Sequence, residues 1–325
     1  MAAIKITGEK RLVLVSGRAH PALAEQIAEE LGSELVGSDT RSFASGEIYA
    51  RFEESVRGAD MFVIQSHTAP INEWLMEQLI MVDAAKRASA KRITVVAPYY
   101  PYSRQDKKGR GREPISARLV ADLFKAAGAD RIMSVDLHAA QIQGFFDGPV
   151  DHLFAMPVLL EHFRQILDPE TLTVVSPDMG RVRVADVWSD KLGAPLAIIH
   201  KRRDPMVMNQ VTVHEIVGEV KGRVCLLVDD MIDSGRTIVK AAEALKKQGA
   251  TGVVVAATHP VFSDPAFEIL QNEAIDQVVV TDTLPVPDEK RWDRLTVLSI
   301  APLIARAIHE VFDDGSVTSM FDGAA

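Results

Sequence analysis

The stretch VDDMIDSGRT, residues 228–237, stands between the apolar run RVCLL and the helical pattern IVKAAEALKKQGA. It predicts a loop that leaves a buried strand at Asp229 and enters a helix near Thr237. Backbone N–H groups at a helix start are unpaired, and small residues let an anion approach them. Three carboxylates in the same stretch raise a question, because their negative charge would repel an anion.

A sugar phosphate would answer this question, because it carries both an anion and hydroxyl groups. The donors of residues 233–237 would hold the phosphate. Asp229 and Asp230 would accept hydrogen bonds from sugar hydroxyls or from metal-bound waters. The structural alternative is one capping aspartate with two solvated neighbours. The whole string, placed after a β-rich run, favours the ligand site.

Strand and helix patterns alternate along the whole chain. This alternation is typical of parallel sheets covered by helices, in which ligands bind beyond the carboxyl ends of strands. Strands are predicted over 11–17, 61–66, 92–99, 131–138, 172–178, 194–203, 222–230 and 251–259, and helices over 20–32, 72–90 and 115–129.

A weak internal duplication indicates two related domains. The order KRITVVAPYYPYSRQ, ISARLVADLFKAAGA, DRIMSVDLHA matches the order GRVCLLVDDMIDSGRT, IVKAAEALKKQGA, TGVVVAATHP. The pattern breaks near residues 150–157. We therefore expect one α/β domain over residues 8–153 and a second over residues 154–321.

Composition excludes several classes of protein. The net charge of −9 argues against a general nucleic-acid-binding protein. No apolar run approaches the length of a membrane span, and the first residues have no apolar signal core. The single cysteine, Cys225, lies in an apolar run, which predicts a buried structural thiol and fits a reducing compartment. We expect a cytoplasmic protein without nucleic-acid or membrane partners.

Four further stretches carry candidate ligand groups: RSFASGEIYARF (41–52), YYPYSRQDKKGRGREP (99–114), SVDLHAAQIQGFF (134–146) and HKRRDP (200–205). Taken singly, they could be a turn, two solvated basic segments and a structural histidine. The last stretch is expected to extend into a loop, MVMNQVTVHEIVGEV. A positive loop beyond a strand would suit the stabilisation of a transferring phosphoryl group.

VDDMIDSGRT resembles the PRPP-binding loop of the phosphoribosyltransferase fold, and together the five stretches resemble the ribose-phosphate pyrophosphokinase family. The resemblance runs from about residue 10 to residue 321, and DLHAAQIQGFF and YSRQDKK are specific to this family. It implies an α/β fold of two tandem phosphoribosyltransferase-like domains, each a largely parallel sheet flanked by helices. It also implies transfer of the β,γ-diphosphoryl group of Mg-ATP to the anomeric hydroxyl of ribose 5-phosphate, which gives PRPP and AMP for nucleotide biosynthesis.

The resemblance implies roles for the residues that match the family's motifs. Residues assigned to ATP are Phe43, Ser45 and Glu47, which serve a neighbouring subunit, with Arg104, Gln105 and His138. The Mg²⁺ ligands are His138 and Asp178, and the catalytic basic pair is Lys201 and Arg203. Residues assigned to ribose 5-phosphate are Asp229, Asp230, Asp233, Ser234, Gly235, Arg236 and Thr237. Arg181 departs from the family's commoner second glycine, and Arg236 departs from its usual small residue.

The family also implies a homo-oligomer, with a hexamer as the expected state, and phosphate and ADP as effectors. Ser55, Arg57, Ser316, Thr318 and Phe321 would line the effector site. Two alternatives stay open: a transferase that consumes PRPP, and a non-catalytic regulatory subunit of a synthetase. The predicted second domain, DLHA and HKRR count against the transferase. Intact Lys201, Arg203, Asp229 and Asp230 count against the silent subunit.

Overall fold

The computed structural model describes residues 10–202 and 213–321, which fold into two compact units. Residues Ala155–Ile300 form unit 2, and the described residues before and after them form unit 1. Each unit has its own apolar core. The predicted α/β class, with parallel sheets flanked by helices, is confirmed.

The regular elements of the described residues are numbered in chain order. The strands are β1 (Leu12–Ser16), β2 (Ser38–Ser42), β3 (Ile48–Phe52), β4 (Asp60–Ile64), β5 (Arg92–Val96), β6 (Arg131–Val135), β7 (Val150–Leu153), β8 (Leu172–Ser176), β9 (Leu196–Arg202), β10 (Val213–Val217), β11 (Val224–Ile232), β12 (Gly252–Pro260), β13 (Gln277–Thr281) and β14 (Leu295–Leu298). The helices are α1 (Pro21–Glu30), α2 (Ile71–Arg87), α3 (Ser116–Ala127), α4 (Met156–Ile166), α5 (Val182–Leu192), α6 (Arg236–Lys247), α7 (Ala266–Ile269) and α8 (Ala301–Phe312).

Unit 1 is built on a parallel sheet with the strand order β1-β4-β5-β6-β7. All five residues of β4 are buried, which is why the sequence there is a continuous apolar run after its first residue rather than an alternating one. Strands β2 and β3 form a separate antiparallel hairpin. The strands of the main sheet follow one another in chain order without a reversal of direction.

Unit 2 is built on a seven-stranded sheet with the order β10-β9-β8-β11-β12-β13-β14. All neighbouring strands are parallel except β9 and β10, which form an antiparallel pair at one edge. From β8 the chain first adds β9 on one side and then adds β11 on the other. The strand order therefore reverses between β8 and β11, and ligands of open α/β sheets bind at such a point.

The predicted duplication appears as two matching strand–helix–strand units. In unit 1, β5, α3 and β6 form one, and its two strands are parallel neighbours. In unit 2, β11, α6 and β12 form the other, again with parallel neighbouring strands. They differ mainly in the segment before the helix, which is long after β5 and very short after β11.

The end of the chain departs from the predicted domain division. Residues from Ala301 onward belong to unit 1 rather than to the second unit. The physical reason is that α8 packs against α1 and β7. The following turn is then tied to the same unit by ion pairs from Asp314 to Lys10 and to Arg92 Nη1, the latter 2.9 Å long.

Two of the expectations drawn from composition can be compared with the structure. The Cys225 thiol is fully buried and free, as predicted, and burial raises its pKa to about 11. Among the helices of the described residues, none has both the length and the apolar character that a bilayer crossing requires.

A buried polar cluster joins β1, β4 and α2 in unit 1. The Glu77 side chain, on α2, is 0% exposed. It accepts hydrogen bonds from the backbone N–H of Arg18 (2.7 Å), from Arg18 Nε (2.6 Å) and from the side-chain amide of Gln65 (2.8 Å). A buried carboxylate is tolerated only when it is paired and hydrogen-bonded in this way. Arg18 also donates from Nη2 to Ser42 Oγ (3.0 Å), which ties the cluster to the hairpin.

We expect Glu77→Ala to lower the free energy of unfolding by about 3 kcal/mol, because it leaves Arg18 and Gln65 without their buried acceptor. The matched control is Glu73→Ala. Its carboxylate contacts the same guanidinium at 3.8 Å but is 38% exposed, so its loss should cost about 0.5 kcal/mol. Urea unfolding of both variants measures the difference. Equal losses would contradict the importance assigned to the buried cluster.

Candidate functional site

The candidate site lies at the carboxyl ends of β8 and β11, where the strand order of unit 2 reverses. These strands are parallel neighbours, with Val224 opposite Leu172 and Leu227 opposite Val175. The segments that follow them must therefore meet at the same edge of the sheet. This brings SPDMGR, which follows β8, beside the acidic part of VDDMIDSGRT.

Strand β11 extends further through the acidic stretch than the sequence predicted. Strand β11 continues to Ile232, which pairs with Pro260 of β12, so Asp229 and Asp230 lie inside the strand rather than at its end. Only residues 233–235 form the turn, and α6 begins at Arg236. The predicted sequence of strand, short loop and helix is confirmed, with a shorter loop.

Gly235 makes this short turn possible. It precedes α6 with φ at 73°, in the left-handed region that favours glycine. A Cβ at this position would also lie 3.0 Å from both Cγ and Cδ2 of Leu270. Gly235 is buried, whereas Arg236 and Thr237 are exposed at the start of the helix. The first turn of α6 therefore presents N–H groups beside small side chains, as an anion site requires.

Arg181 meets the acidic pair from the segment after β8. Its Nε lies 3.4 Å from Asp229 Oδ1, and its Nη2 forms an ion pair with Asp230 Oδ1. The side chains of Arg181, Asp229 and Asp230 are 15%, 21% and 8% exposed, so all three are largely withdrawn from water. Sequence reasoning noticed Arg181 only as a departure from a family pattern and gave it no role.

The pKa of Asp229 is raised well above its ordinary value. Burial is the main cause, and the adjacent Asp230 carboxylate adds to it. Arg181 opposes the shift, because its positive charge favours the ionised carboxylate. Asp229 Oδ1 also accepts a 2.8 Å hydrogen bond from the backbone N–H of Asp230. Ionised carboxylates at this position thus depend on a nearby cation.

Asp178 lies in the turn between β8 and α5. Its Oδ1 accepts hydrogen bonds from the backbone N–H groups of Gly180 (2.8 Å) and Arg181 (3.2 Å), and its backbone oxygen accepts one from Ser176 Oγ (2.7 Å). The carboxylate is therefore held in a fixed orientation at the edge of the sheet. Its assignment as a metal ligand remains a prediction.

Asp178 and His138, taken separately, fit Mg²⁺ to different degrees. Within residues 10–202 and 213–321, no group of three or more His, Cys, Asp or Glu side chains is placed to hold a metal ion. Mg²⁺ does not need such a cage, because it usually keeps several waters and binds one or two carboxylates together with substrate phosphates. The Asp178 carboxylate suits this mode. The His138 imidazole, half-buried after β6, is a nitrogen donor and fits Mg²⁺ less well.

The basic stretch HKRR lies at the end of a strand, as predicted, because β9 ends at Arg202. Lys201 pairs with His214 of β10, so the described part of the expected loop contains a strand, Val213–Val217. Residues 206–212 of that loop lie outside the described residues. The sequence was misleading because β10 is a short edge strand of mixed polarity. Arg203 lies outside the described residues, and the catalytic roles of Lys201 and Arg203 stay predictions.

The residues assigned to adenine lie at the tip of the β2–β3 hairpin. Phe43 is half exposed and stands edge-on to Tyr49, with ring centroids 6.2 Å apart. Ser45 Oγ donates to Glu47 Oε2 (2.9 Å), and both side chains are exposed. An aromatic ring and a carboxylate are therefore both exposed at the hairpin tip.

The other unit 1 residues singled out from the sequence differ in exposure. Arg104 and Gln105 are exposed in the segment before α3, where Gln105 Oε1 accepts a hydrogen bond from Ser116 Oγ (2.6 Å). Among the residues assigned to an effector, Phe321 is buried and packs edge-to-face on Phe154, with centroids 5.3 Å apart. Its ring thus holds the end of the described chain against Phe154. The remaining effector residues, Ser55, Arg57, Ser316 and Thr318, are exposed.

Two family models match the sequence. The N-terminal domain of ribose phosphate pyrophosphokinase matches residues 12–128, and the phosphoribosyl synthetase-associated domain matches residues 197–322. The chain is 65% identical to the ribose-phosphate pyrophosphokinase of Streptomyces avermitilis over 99% of both chains, and 60% identical to that of Mycobacterium tuberculosis over 97% of both. The crystal structure of phosphoribosylpyrophosphate synthetase from Mycobacterium smegmatis is 58% identical and superposes with a TM-score of 0.90, covering 94% of this chain and 100% of that one.

We expect Gly235→Ala to destabilise the protein by about 1 kcal/mol more than Gly222→Ala. Both glycines have φ at 73°, so both variants carry the same backbone strain. Only a Cβ at residue 235 meets Leu270, whereas nothing lies within 4 Å of one at residue 222. Urea unfolding measures both, and equal losses would mean that Leu270 moves aside freely.

Proposed function

Because the chain belongs to the ribose-phosphate pyrophosphokinase family, we propose that it makes PRPP from ATP and ribose 5-phosphate. The observation that carries the proposal is the acidic strand and glycine turn at the point where the strand order of unit 2 reverses. Near-complete coverage by synthetases that are 60–65% identical favours PRPP synthesis over PRPP consumption.

The proposed reaction is a diphosphoryl transfer. The anomeric hydroxyl oxygen of ribose 5-phosphate forms a bond to the β-phosphorus of ATP. The bond from that phosphorus to the oxygen that it shares with the α-phosphorus breaks, and AMP leaves with that oxygen. The hydroxyl proton passes to solvent or to a phosphate oxygen. Such chemistry depends mainly on positioning the reactants and on stabilising charge.

Strand β11 and the turn and helix start that follow it supply two kinds of group for ribose 5-phosphate. N–H groups and hydroxyls of Asp233, Ser234, Gly235, Arg236 and Thr237 hold the 5-phosphate. Asp229 and Asp230 accept hydrogen bonds from the ribose hydroxyls. The acidic pair and the anion site are neighbouring parts of one strand–turn–helix segment, so one sugar phosphate can use both.

Asp178 and His138 match the family's magnesium ligands, and Mg²⁺ bound by such residues would supply positive charge that neutralises the phosphates of ATP. The adenine is held by Phe43, Ser45 and Glu47 of a neighbouring subunit, and Arg104 and Gln105 bind the ATP. Lys201 and Arg203 stabilise the charge that develops during transfer. Support for the adenine site comes from the exposed aromatic ring at the hairpin tip.

We further propose a cytoplasmic homohexamer that is activated by phosphate and inhibited by ADP. Met76, Leu119 and Leu123 leave apolar surface exposed on α2 and α3, which contact each other, and copies of the chain would cover such a surface. Ser55, Arg57, Ser316 and Thr318 are exposed and available to an effector. One buried, free cysteine fits a reducing compartment.

Product analysis tests the reaction. With Mg²⁺, ATP and ribose 5-phosphate, AMP should appear in step with PRPP, and omission of the sugar phosphate should abolish both. ADP in place of AMP would mean transfer of a single phosphoryl group and would refute the diphosphoryl mechanism. Bound ribose 5-phosphate without any nucleotide product would identify a silent subunit, and base-dependent loss of PRPP without ATP would identify a transferase.

The basic pair is tested by Lys201→Ala and Arg203→Ala. We expect each to lower kcat at least about a hundredfold, because each removes a positive charge that acts in the transition state. The affinity for ribose 5-phosphate should change little. Arg202→Ala is the matched control, since it removes the neighbouring positive charge to which no role is assigned. Unchanged turnover in the first two variants, or an equal loss in all three, would refute the assignment.

A further inference from the structure

Arg181 is the residue directly before α5, a position at which an arginine does not help a helix to begin. Its side chain makes no capping hydrogen bond. Residues at this position usually accept hydrogen bonds from the helix N–H groups, and the helix dipole disfavours a positive charge there. The start of α5 therefore does not explain why residue 181 is an arginine.

The partners of the guanidinium supply the reason. Arg181 turns its side chain away from solvent, to 15% exposure, and reaches Asp229 Oδ1 at 3.4 Å and Asp230 Oδ1 by an ion pair. Its backbone N–H meanwhile donates to Asp178 Oδ1 at 3.2 Å. One residue thus contacts the acidic pair and also helps to orient the carboxylate of the neighbouring strand end.

We propose that Arg181 is a positioning residue that acts as a built-in cation for the ribose 5-phosphate site. Adjacent carboxylates that are both withdrawn from water repel each other unless a positive charge lies between or beside them. Arg181 supplies that charge and fixes the two carboxylates before substrate arrives. The sugar hydroxyls then meet acceptors that are already oriented, and free divalent cations are not needed for this step.

This inference rests on the proposed function, because it concerns the same sugar phosphate. The guanidinium reaches Oδ1 of both carboxylates. A carboxylate has a second oxygen and further lone pairs, which can accept hydrogen bonds from ribose hydroxyls while the ion pair persists.

The experiment separates the charge of residue 181 from its hydrogen-bond donors. Ribose 5-phosphate is titrated calorimetrically into the full chain, once with a chelator and once with saturating Mg²⁺. Arg181→Gln keeps hydrogen-bond donors without the charge, and Arg181→Lys keeps the charge. Arg183→Gln removes the same net charge at an exposed position two residues further on. Thermal melts without ligand verify that each variant is folded.

We expect Arg181→Gln to bind about tenfold more weakly than the parent chain in chelator, the scale of one lost charge-assisted contact. Saturating Mg²⁺ should restore its affinity, while Arg181→Lys and Arg183→Gln should match the parent chain in both conditions.

Three results would overturn the inference alone: an equal loss at both Mg²⁺ levels, unchanged or tighter binding by Arg181→Gln, or the same loss in Arg183→Gln. A parent chain that does not bind ribose 5-phosphate in either condition would overturn the proposed function as well.

Discussion

Two adjacent carboxylates withdrawn from water, Asp229 and Asp230, set the constraint on which the site in unit 2 depends. Their repulsion has to be balanced by positive charge, and the structure places Arg181 beside both. The strand order makes this possible, because β8 and β11 are parallel neighbours and the turn after β8 ends next to the acidic strand. The pairing of β8 with β11 therefore also places the positive charge that the two carboxylates need.

The sequence predicted this site in outline because its signals are local. Apolar residues before Asp229, small residues after Asp233 and helical spacing beyond them indicate strand, turn and helix without any tertiary information. The role of Arg181 could not be found in this way. Its partners lie in another segment of the chain, and only the pairing of β8 with β11 brings them together.

Two of the elements that sequence reasoning did not predict share a physical character. Strands β7 and β10 lie at sheet edges and carry polar residues, as in VDHL and VHEIV, so neither shows a long apolar run. Edge strands need apolar side chains less than central ones, because fewer neighbours cover them. The predicted second domain wrongly included α8 for a related reason. The apolar face of α8 has a helical pattern whichever unit it covers, and only packing against α1 and β7 reveals the partner.

The return of α8 to unit 1 makes unit 2 an insertion within the chain of unit 1. All strands of unit 2 precede α8, whereas unit 1 needs α8 to cover α1 and β7. On the ribosome, the inserted unit can therefore complete its fold first. Unit 1, although its first strand is synthesised earlier, lacks the packing of α8 on α1 and β7 until residues 301–312 are made. Unit 2, whose synthesis begins second, can thus be the first to finish folding.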